Sequence, residues 1–336
     1  MAKNWLLWIG TAACLSVLIC GPVKAGFNDG FEAYSRGDYA TALEEFRQAA
    51  EHGDARAQYR LGLMYRFGHG VSQSHAEAAK WYRSAAQQGY HFAQTDLGKM
   101  YAIGRGVPQD FAEAARWYRK AADQGDVLAQ ANLGVMYANG QGVAQNYAES
   151  AKWYRRAAQQ GDALAQGELG FAHLVGRGVA QDLEEAVRWI RSAAEEGHAN
   201  SQYNLASLYA IGRGVPKSDA EATRWNLKAA EQGHTKALHN VGGDHLMDRN
   251  YEEAEKWFRK AAEQGYPPSQ INIGRMYENG HGLPKDYVKA YKWYSIAATR
   301  GHKQAAKNME ELDRKMTPAQ IARAGELARD WMPTHR

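Results

Sequence analysis

Tryptophan recurs in this chain with a fixed step. Trp81, Trp117, Trp153, Trp189, Trp225, Trp257 and Trp293 are separated by 36 residues, except for one step of 32 between Trp225 and Trp257. Glycine keeps the same rhythm at Gly53, Gly89, Gly125, Gly161, Gly197, Gly233, Gly265 and Gly301. Seven units therefore run over residues 54–301, which is 248 of 336 residues. A period of this length is the mark of a stacked repeat, because no single unit can bury its own apolar face. The phase predicts one elongated array in place of the two domains that length alone suggests.

Each unit reads as two helices. The first carries Ala-x-x-x-Leu-Gly-x-x-Tyr, as in Ala93, Leu97, Gly98 and Tyr101, a spacing that puts Ala, Leu and Tyr on one helical face. A Gly-x-Gly-Val loop follows, such as Gly104-Arg105-Gly106-Val107. The second helix carries Ala-x-x-Trp-Tyr-Arg-x-Ala-Ala, as in Ala114, Trp117, Tyr118, Arg119, Ala121 and Ala122, and ends at a glycine suited to a left-handed C-cap. Its start is marked by Ser74, Asp110, Asn146, Asp182, Ser218, Asn250 and Asp286. Glu stands three residues after the first six and Lys289 after the last. This spacing predicts a capping box, in which the carboxylate returns to the cap's own N–H. A glycine inside the first helix costs about 1 kcal/mol against alanine. Gly62, Gly98, Gly134, Gly170, Gly242 and Gly274 thus imply close helix approach, with Ala206 filling the slot in the fifth unit.

The in-phase series resembles the Sel-one-like repeat (SLR) family, a branch of the tetratricopeptide repeat superfamily. The resemblance implies an all-α fold: an α/α solenoid (right-handed superhelix) of helix-turn-helix repeats of about 36 residues, with first helices lining a concave face. The expected units are 54–89, 90–125, 126–161, 162–197, 198–233, a short 234–265, and 266–301. Residues 26–53 read as an N-terminal capping unit whose Arg36-Gly37-Asp38 is an interhelix turn. Residues 302–336 read as C-terminal capping helices, with Thr317, Pro318 and Gln320 starting the last one. The sixth unit lacks the Gly-x-Gly loop, carries His245 in the Tyr position, and is expected to alter the curvature.

The first 25 residues read as an export signal. Lys3 precedes an apolar stretch from Trp5 to Cys20, and Val23-Lys24-Ala25 offers a cleavage site. Cleavage after Ala25 removes Cys14 and Cys20, leaving no thiol or disulfide. It also removes Lys3 and Lys24 and no acid, so the net charge falls from +4 to +2. That balance, without a basic stripe, speaks against nucleic acid. A mean hydropathy of −0.62 excludes a multi-span membrane protein. The expected location is periplasmic or secreted, with no integral span after cleavage.

Catalytic constellations are missing from the sequence. His-Glu-x-x-His, Gly-x-Ser-x-Gly and Ser-x-x-Lys do not occur, and no loop completes a phosphate cradle. His234, His239 and His245 cluster in the irregular unit, but a helical step of six turns His245 away from His239, so no metal is expected. No cofactor is expected either. The expected function is a non-enzymatic scaffold or adaptor that binds a partner protein or peptide through its groove, in envelope assembly, signalling or host interaction.

Tetratricopeptide geometry, carried over by resemblance, points two positions of each first helix into the groove: Tyr59 and Leu63, Thr95 and Lys99, Ala131 and Val135, Gly167 and Phe171, Tyr203 and Ser207, His239 and Gly243, and Ile271 and Arg275. Beside the structural Leu stand Arg60, Asp96, Asn132, Glu168, Asn204, Asn240 and Asn272. In some related domains an Asn at this slot grips a peptide carboxylate. The alternative is a cell-wall-associated protein. It would bind peptidoglycan through Tyr59, Phe171 and Tyr203, or hydrolyse β-lactams as a cysteine-rich secreted branch of the family is linked to doing. The mature chain lacks that branch's paired cysteines.

Overall fold

The computed structural model describes residues 26–331, which form eighteen helices and no strand. The export-signal reading, with Cys14, Cys20 and cleavage after Ala25, lies outside the described residues, as do residues 332–336. The chain divides into two compact units, one ending at Asp110 and the other beginning at Phe111. The repeat motif continues through this point, so nothing in the residue pattern marks it.

The first unit holds α1 (Phe27–Ser35), α2 (Tyr39–Glu51), α3 (Ala55–Phe67), α4 (His75–Gln87) and α5 (His91–Ile103). Arg36-Gly37-Asp38 is the α1–α2 turn: Gly37 takes φ +80°, and Asp38 caps α2 by accepting from the Thr41 N–H at 3.1 Å. The second unit holds α6 (Phe111–Asp123), α7 (Val127–Asn139), α8 (Tyr147–Gln159), α9 (Ala163–Val175), α10 (Leu183–Glu195), α11 (Ala199–Ile211) and α12 (Asp219–Glu231). It continues through α13 (Thr235–Met247), α14 (Tyr251–Glu263), α15 (Pro267–Asn279), α16 (Tyr287–Thr299), α17 (Lys303–Asp313) and α18 (Pro318–Trp331). The chain is an all-α solenoid of repeated hairpins.

The helical glycines are explained by the residue after each tryptophan. An added Cβ at Gly134 would stand 2.6 Å from the Tyr154 ring, and Gly62, Gly170, Gly242 and Gly274 meet Tyr82, Ile190, Phe258 and Tyr294 in the same way. These partners are almost fully buried. Ring and glycine belong to the same hairpin, so each unit closes on itself through this contact. Trp153, Trp225 and Trp293 are buried, while Trp81, Trp189 and Trp257 stay half-exposed.

The predicted capping box forms only by half. Ser74, Asn146, Asp182, Ser218 and Asn250 do accept from the N–H of the Glu three residues on, for example Glu149 N–H to Asn146 at 3.1 Å. The cap's own N–H goes elsewhere: Asn146 donates to the Tyr137 carbonyl at 2.9 Å and Asp182 to the His173 carbonyl at 3.0 Å. These carbonyls belong to the aromatic position of the preceding first helix. The glutamates pair with the base three residues on, as in Lys80–Glu77 and Arg224–Glu221. The full reciprocal box appears at the tail, where Gln320 N–H donates to Thr317 Oγ1 at 3.3 Å and Thr317 N–H to Gln320 Oε1 at 2.9 Å. There α18 packs on α16, with Trp331 edge-on to Trp293 at 5.5 Å.

A buried glutamine ladder joins successive hairpins. Gln58, Gln94, Gln130, Gln166, Gln202 and Gln270 each donate Nε2 to the carbonyl of the alanine eight residues earlier, at the end of the preceding second helix. In three hairpins the closing Gln donates to this Gln's Oε1 from the same unit's second helix, as Gln88 does to Gln58 at 2.8 Å. Leu238 interrupts the ladder in the sixth unit, where Gln264 reaches the Gly233 carbonyl directly at 3.1 Å. The sixth unit's turn also differs. Arg249 stands at φ +59°, the place of Gly37 in the α1–α2 turn.

Candidate partner-binding site

In the first unit, Tyr59 donates its hydroxyl to Asp96 at 3.0 Å, and Arg66 donates to the other Asp96 oxygen at 3.0 Å. Tyr59 packs among Tyr82, Tyr90 and Phe92, and burial with the nearby Asp96 charge holds its pKa far above the phenol range. Asp96 thus joins α3 to α5. Arg60 lies over the exposed Phe31 ring at 4.9 Å, and Lys99 is exposed.

In the second unit the groove positions split. Ala131 and Ile271 are buried, as Thr95 is in the first unit, so these three positions serve packing and not recognition. The reason is register: the helix turns them toward the adjoining hairpin. Asn132 is exposed and folds back to the Leu128 carbonyl at 2.7 Å. Asn272 is half-buried and Arg275 exposed. His239 bonds Ser269 Oγ at 2.9 Å and meets Tyr266 edge-on.

Four sequence candidates do converge. Glu168, Phe171, Tyr203 and Asn204 line one open cleft of about 540 Å³ between successive first helices. Gly167 makes the approach there, since a Cβ on it would stand 2.5 Å from Ser201 Oγ. Tyr203 stacks on His234 at 4.6 Å. The remaining wall, which includes His198, Asn200, His234 and Lys236, was not anticipated from the sequence. A signal for it exists. Gly-Asp opens the first helix at Gly53-Asp54, Gly125-Asp126 and Gly161-Asp162, where Asp caps the helix. Gly197-His198 and Gly233-His234 replace that carboxylate by a ring. Burial lowers the pKa of both histidines, with Lys236 adding to the effect at His234 and Asp162 opposing it at His198. Loss of water around Glu168 raises its carboxyl pKa against the opposing pull of Arg177. The cleft therefore offers rings, side-chain amides, one ammonium and one carboxylate.

A second cleft, of about 780 Å³, takes in His239 and Asn240 from the same helix row, beside Asn226, Thr223 and Asp244. Among the described residues no group of three or more His, Cys, Asp or Glu is placed to hold a metal, and no helix is long and apolar enough to cross a membrane.

Residues 55–90, 91–126, 127–162, 163–198, 199–234, 237–266 and 267–302 match the Sel1 repeat family model. The chain belongs to the Sel1 repeat family. Two solved structures of Sel1 type are similar to it. A Sel1 repeat protein from Oxalobacter formigenes is 32% identical, with a TM-score of 0.68, over 86% of this chain and 88% of that chain. A protective antigen of uropathogenic Escherichia coli strains, described as displaying an SLR fold, is 32% identical, with a TM-score of 0.52, over 92% of this chain and 84% of that chain. No curated protein matches. Sel1 repeat proteins generally mediate protein–protein interaction and are typically non-enzymatic scaffolds.

Proposed function

We propose that this Sel1 repeat chain is an exported adaptor that binds an extended segment of a partner protein in the cleft between Gly167 and Lys236. The observation that carries this reading is the combination at one place of the exposed Phe171 ring, the Tyr203–His234 stack and the side-chain amides of Asn200 and Asn204. Rings take up apolar side chains at low entropic cost, and amides satisfy a strand's backbone groups, which is what recognition of an extended peptide needs. Export is supported by Lys3, the apolar stretch and Val23-Lys24-Ala25. The description of the Escherichia coli relative as a protective antigen is in keeping with a protein that a host meets.

A photocrosslinking residue placed at Phe171 tests the cleft, with Glu195 on the second-helix side as the control. A discrete adduct from Phe171 alone supports the reading; equal labelling from both sites overturns it. Cell fractionation tests export: the product of the full chain is expected outside the cytoplasm, and that of the chain without residues 1–25 inside. The peptidoglycan alternative would draw on Phe171 and Tyr203, and pelleting with sacculi that these rings' alanine variants abolish would replace the peptide reading.

A further inference from the structure

The second cleft lies where the fifth unit departs from the repeat at three positions. In most other units the second helix places a ring, or Ile190 in the fourth, on the glycine of its own first helix, and in all but the seventh, which has Ser295, the next residue is an arginine that reaches the following unit. Arg155 meets His173 at 3.1 Å, Arg191 meets Tyr209 at 3.1 Å, and Arg259 meets Tyr277 at 3.5 Å. In the fifth unit the ring is Asn226 and the arginine is Leu227. The glycine slot changes with them, to Ala206, while the position the arginine would reach is His245, a residue type that receives Arg155 in the fourth unit as His173. What the missing ring and arginine leave is the opening of about 780 Å³ between α12 and α13.

Its chemistry is one-sided. Asp219, Asp244 and Asp248 line it, and no Lys or Arg does. Lys217 sits 3.7 Å from Asp219 on the exposed side, and Thr223 donates to Asp244 at 3.1 Å. The lining His239 has a pKa lowered by burial. Asn226 is 8% exposed and faces the cleft with hydrogen-bonding capacity unused. Its oxygen receives only a long bond of 3.4 Å from Asn240, and its amide nitrogen meets no partner among the described residues. In the same pair the Asn240 amide oxygen meets no donor among the described residues and is an acceptor left free. Ala222, Leu246 and Met247 supply an apolar wall. Beyond the rim, Val175, Ile211 and Met247, the last residues of α9, α11 and α13, are 43%, 68% and 78% exposed.

We propose that this cleft receives an arginine side chain from a partner segment that carries apolar residues beside it. The guanidinium fork matches the Asp244 carboxylate and the Asn240 amide oxygen. The three-carbon stem lies along Ala222, Leu246 and Met247. The neighbouring apolar residues meet the Ile211–Met247 flank. The unit has given up its own arginine and ring, and the partner supplies an arginine in their place. The proposal deepens the adaptor reading by naming the chemistry of one contact, and it can fail separately.

The test is calorimetric titration of the full chain with acetyl-Gly-Arg-Ile-Leu-amide, and with the same peptide carrying lysine, norleucine or glutamate in place of arginine. The arginine peptide is expected to bind at least tenfold tighter than the norleucine and glutamate forms. Asp244→Asn is expected to weaken it fivefold or more. The double variant Ala206→Gly with Asn226→Tyr restores the pairing of the other units, so it is expected to abolish binding while thermal stability holds. Equal affinity for norleucine, or binding unchanged by the double variant, overturns the site; equal affinity for lysine overturns the arginine assignment. Crosslinking from Phe171 reads the general adaptor function independently of either outcome.

Discussion

Gln160 Nε2 donates to Gln130 Oε1 at 2.9 Å, and Gln130 Nε2 in turn donates to the Ala122 carbonyl at 3.2 Å. Two side chains thus carry a polar chain from one hairpin into the one before it. Where the closing residue is no longer Gln, the chain breaks. Glu196 and Arg300 replace it in two units, and Gln166 Oε1 and Gln270 Oε1 are buried there without a donor. Glu196→Gln is therefore expected to stabilise the protein by about 1 kcal/mol, the usual net value of one such bond. Gln160→Ala is expected to cost a similar amount. Urea denaturation of the two variants checks both signs.

The glycine slot predicts a coupled pair. Gly134→Ala drives a methyl into the buried Tyr154 ring and is expected to cost about 1–3 kcal/mol. Combined with Tyr154→Asn, the arrangement already present at Ala206 and Asn226, the two costs should sum to less than their separate values. A double-mutant cycle by denaturant titration measures this, and strict additivity would show that the ring does not set the slot.

Arg249 is the non-glycine residue at positive φ among the described residues. A left-handed backbone costs an L-residue about 1–2 kcal/mol, partly offset by glycine's larger unfolded-state entropy. Arg249→Gly should then stabilise by about 0.5–1 kcal/mol, read as a rise in melting temperature. The same substitution at the helical Arg259 should destabilise.

The half-formed caps separate two roles that the sequence merges. Asn146→Ala removes an acceptor for the Ala148 and Glu149 N–H groups and should cost about 1 kcal/mol. Glu149→Gln removes only an exposed pairing with Lys152 and should cost less than about 0.5 kcal/mol. Thermal unfolding of both variants distinguishes this from a reciprocal box, in which the two would matter alike.

Burial raises the pKa of Asp244 above its usual 3.8, and the Asp248 and Asp219 carboxylates reinforce the shift against Thr223 and His245. The folded state therefore holds this proton more tightly than the unfolded chain does. The penalty is absent at low pH and sets in as pH rises through 3.8 toward the folded value. Asp244→Asn should raise the melting temperature at neutral pH, and this gain should vanish below about pH 3.5. The variant gains stability where the cleft is expected to lose its ligand.

The repeat, its helices and its turns were legible because each recurs in phase and each copy confirms the others. The Gly134–Tyr154 pairing was half legible: the glycine announced close approach, but the adjacent Trp153 drew attention from the ring that fills the slot. The ladder residues Gln58 to Gln270 were present in the sequence as regularly as the tryptophans. A buried Gln is unusual, however, so nothing in composition singles it out. The caps failed for a different reason: the cap N–H has two acceptors in reach, and only the fold shows that the Tyr137 carbonyl wins over Glu149. The cleft-lining residues were least legible. Phe171 and Tyr203 came from borrowed helix geometry, whereas His198, Lys236 and Asn226 are departures from the repeat. A departure shows its meaning only against the neighbours that moved with it.

The glutamine ladder also bears on how such a chain can change in length. Every interrupted or intact rung uses a donor from one hairpin and an acceptor carbonyl from the hairpin before it, so a copied hairpin brings its own connector and finds a matching socket in any predecessor. Duplication or loss of a whole hairpin leaves the remaining joints chemically unchanged. The junction at Leu238 differs in lacking the buried Gln: there the closing Gln264 alone reaches back, to the Gly233 carbonyl, whereas Arg300 makes the same contact to Gly265 beside an intact Gln270 rung. A copied hairpin with the buried Gln therefore carries a complete connector, whereas a copied sixth hairpin carries only its closing Gln264.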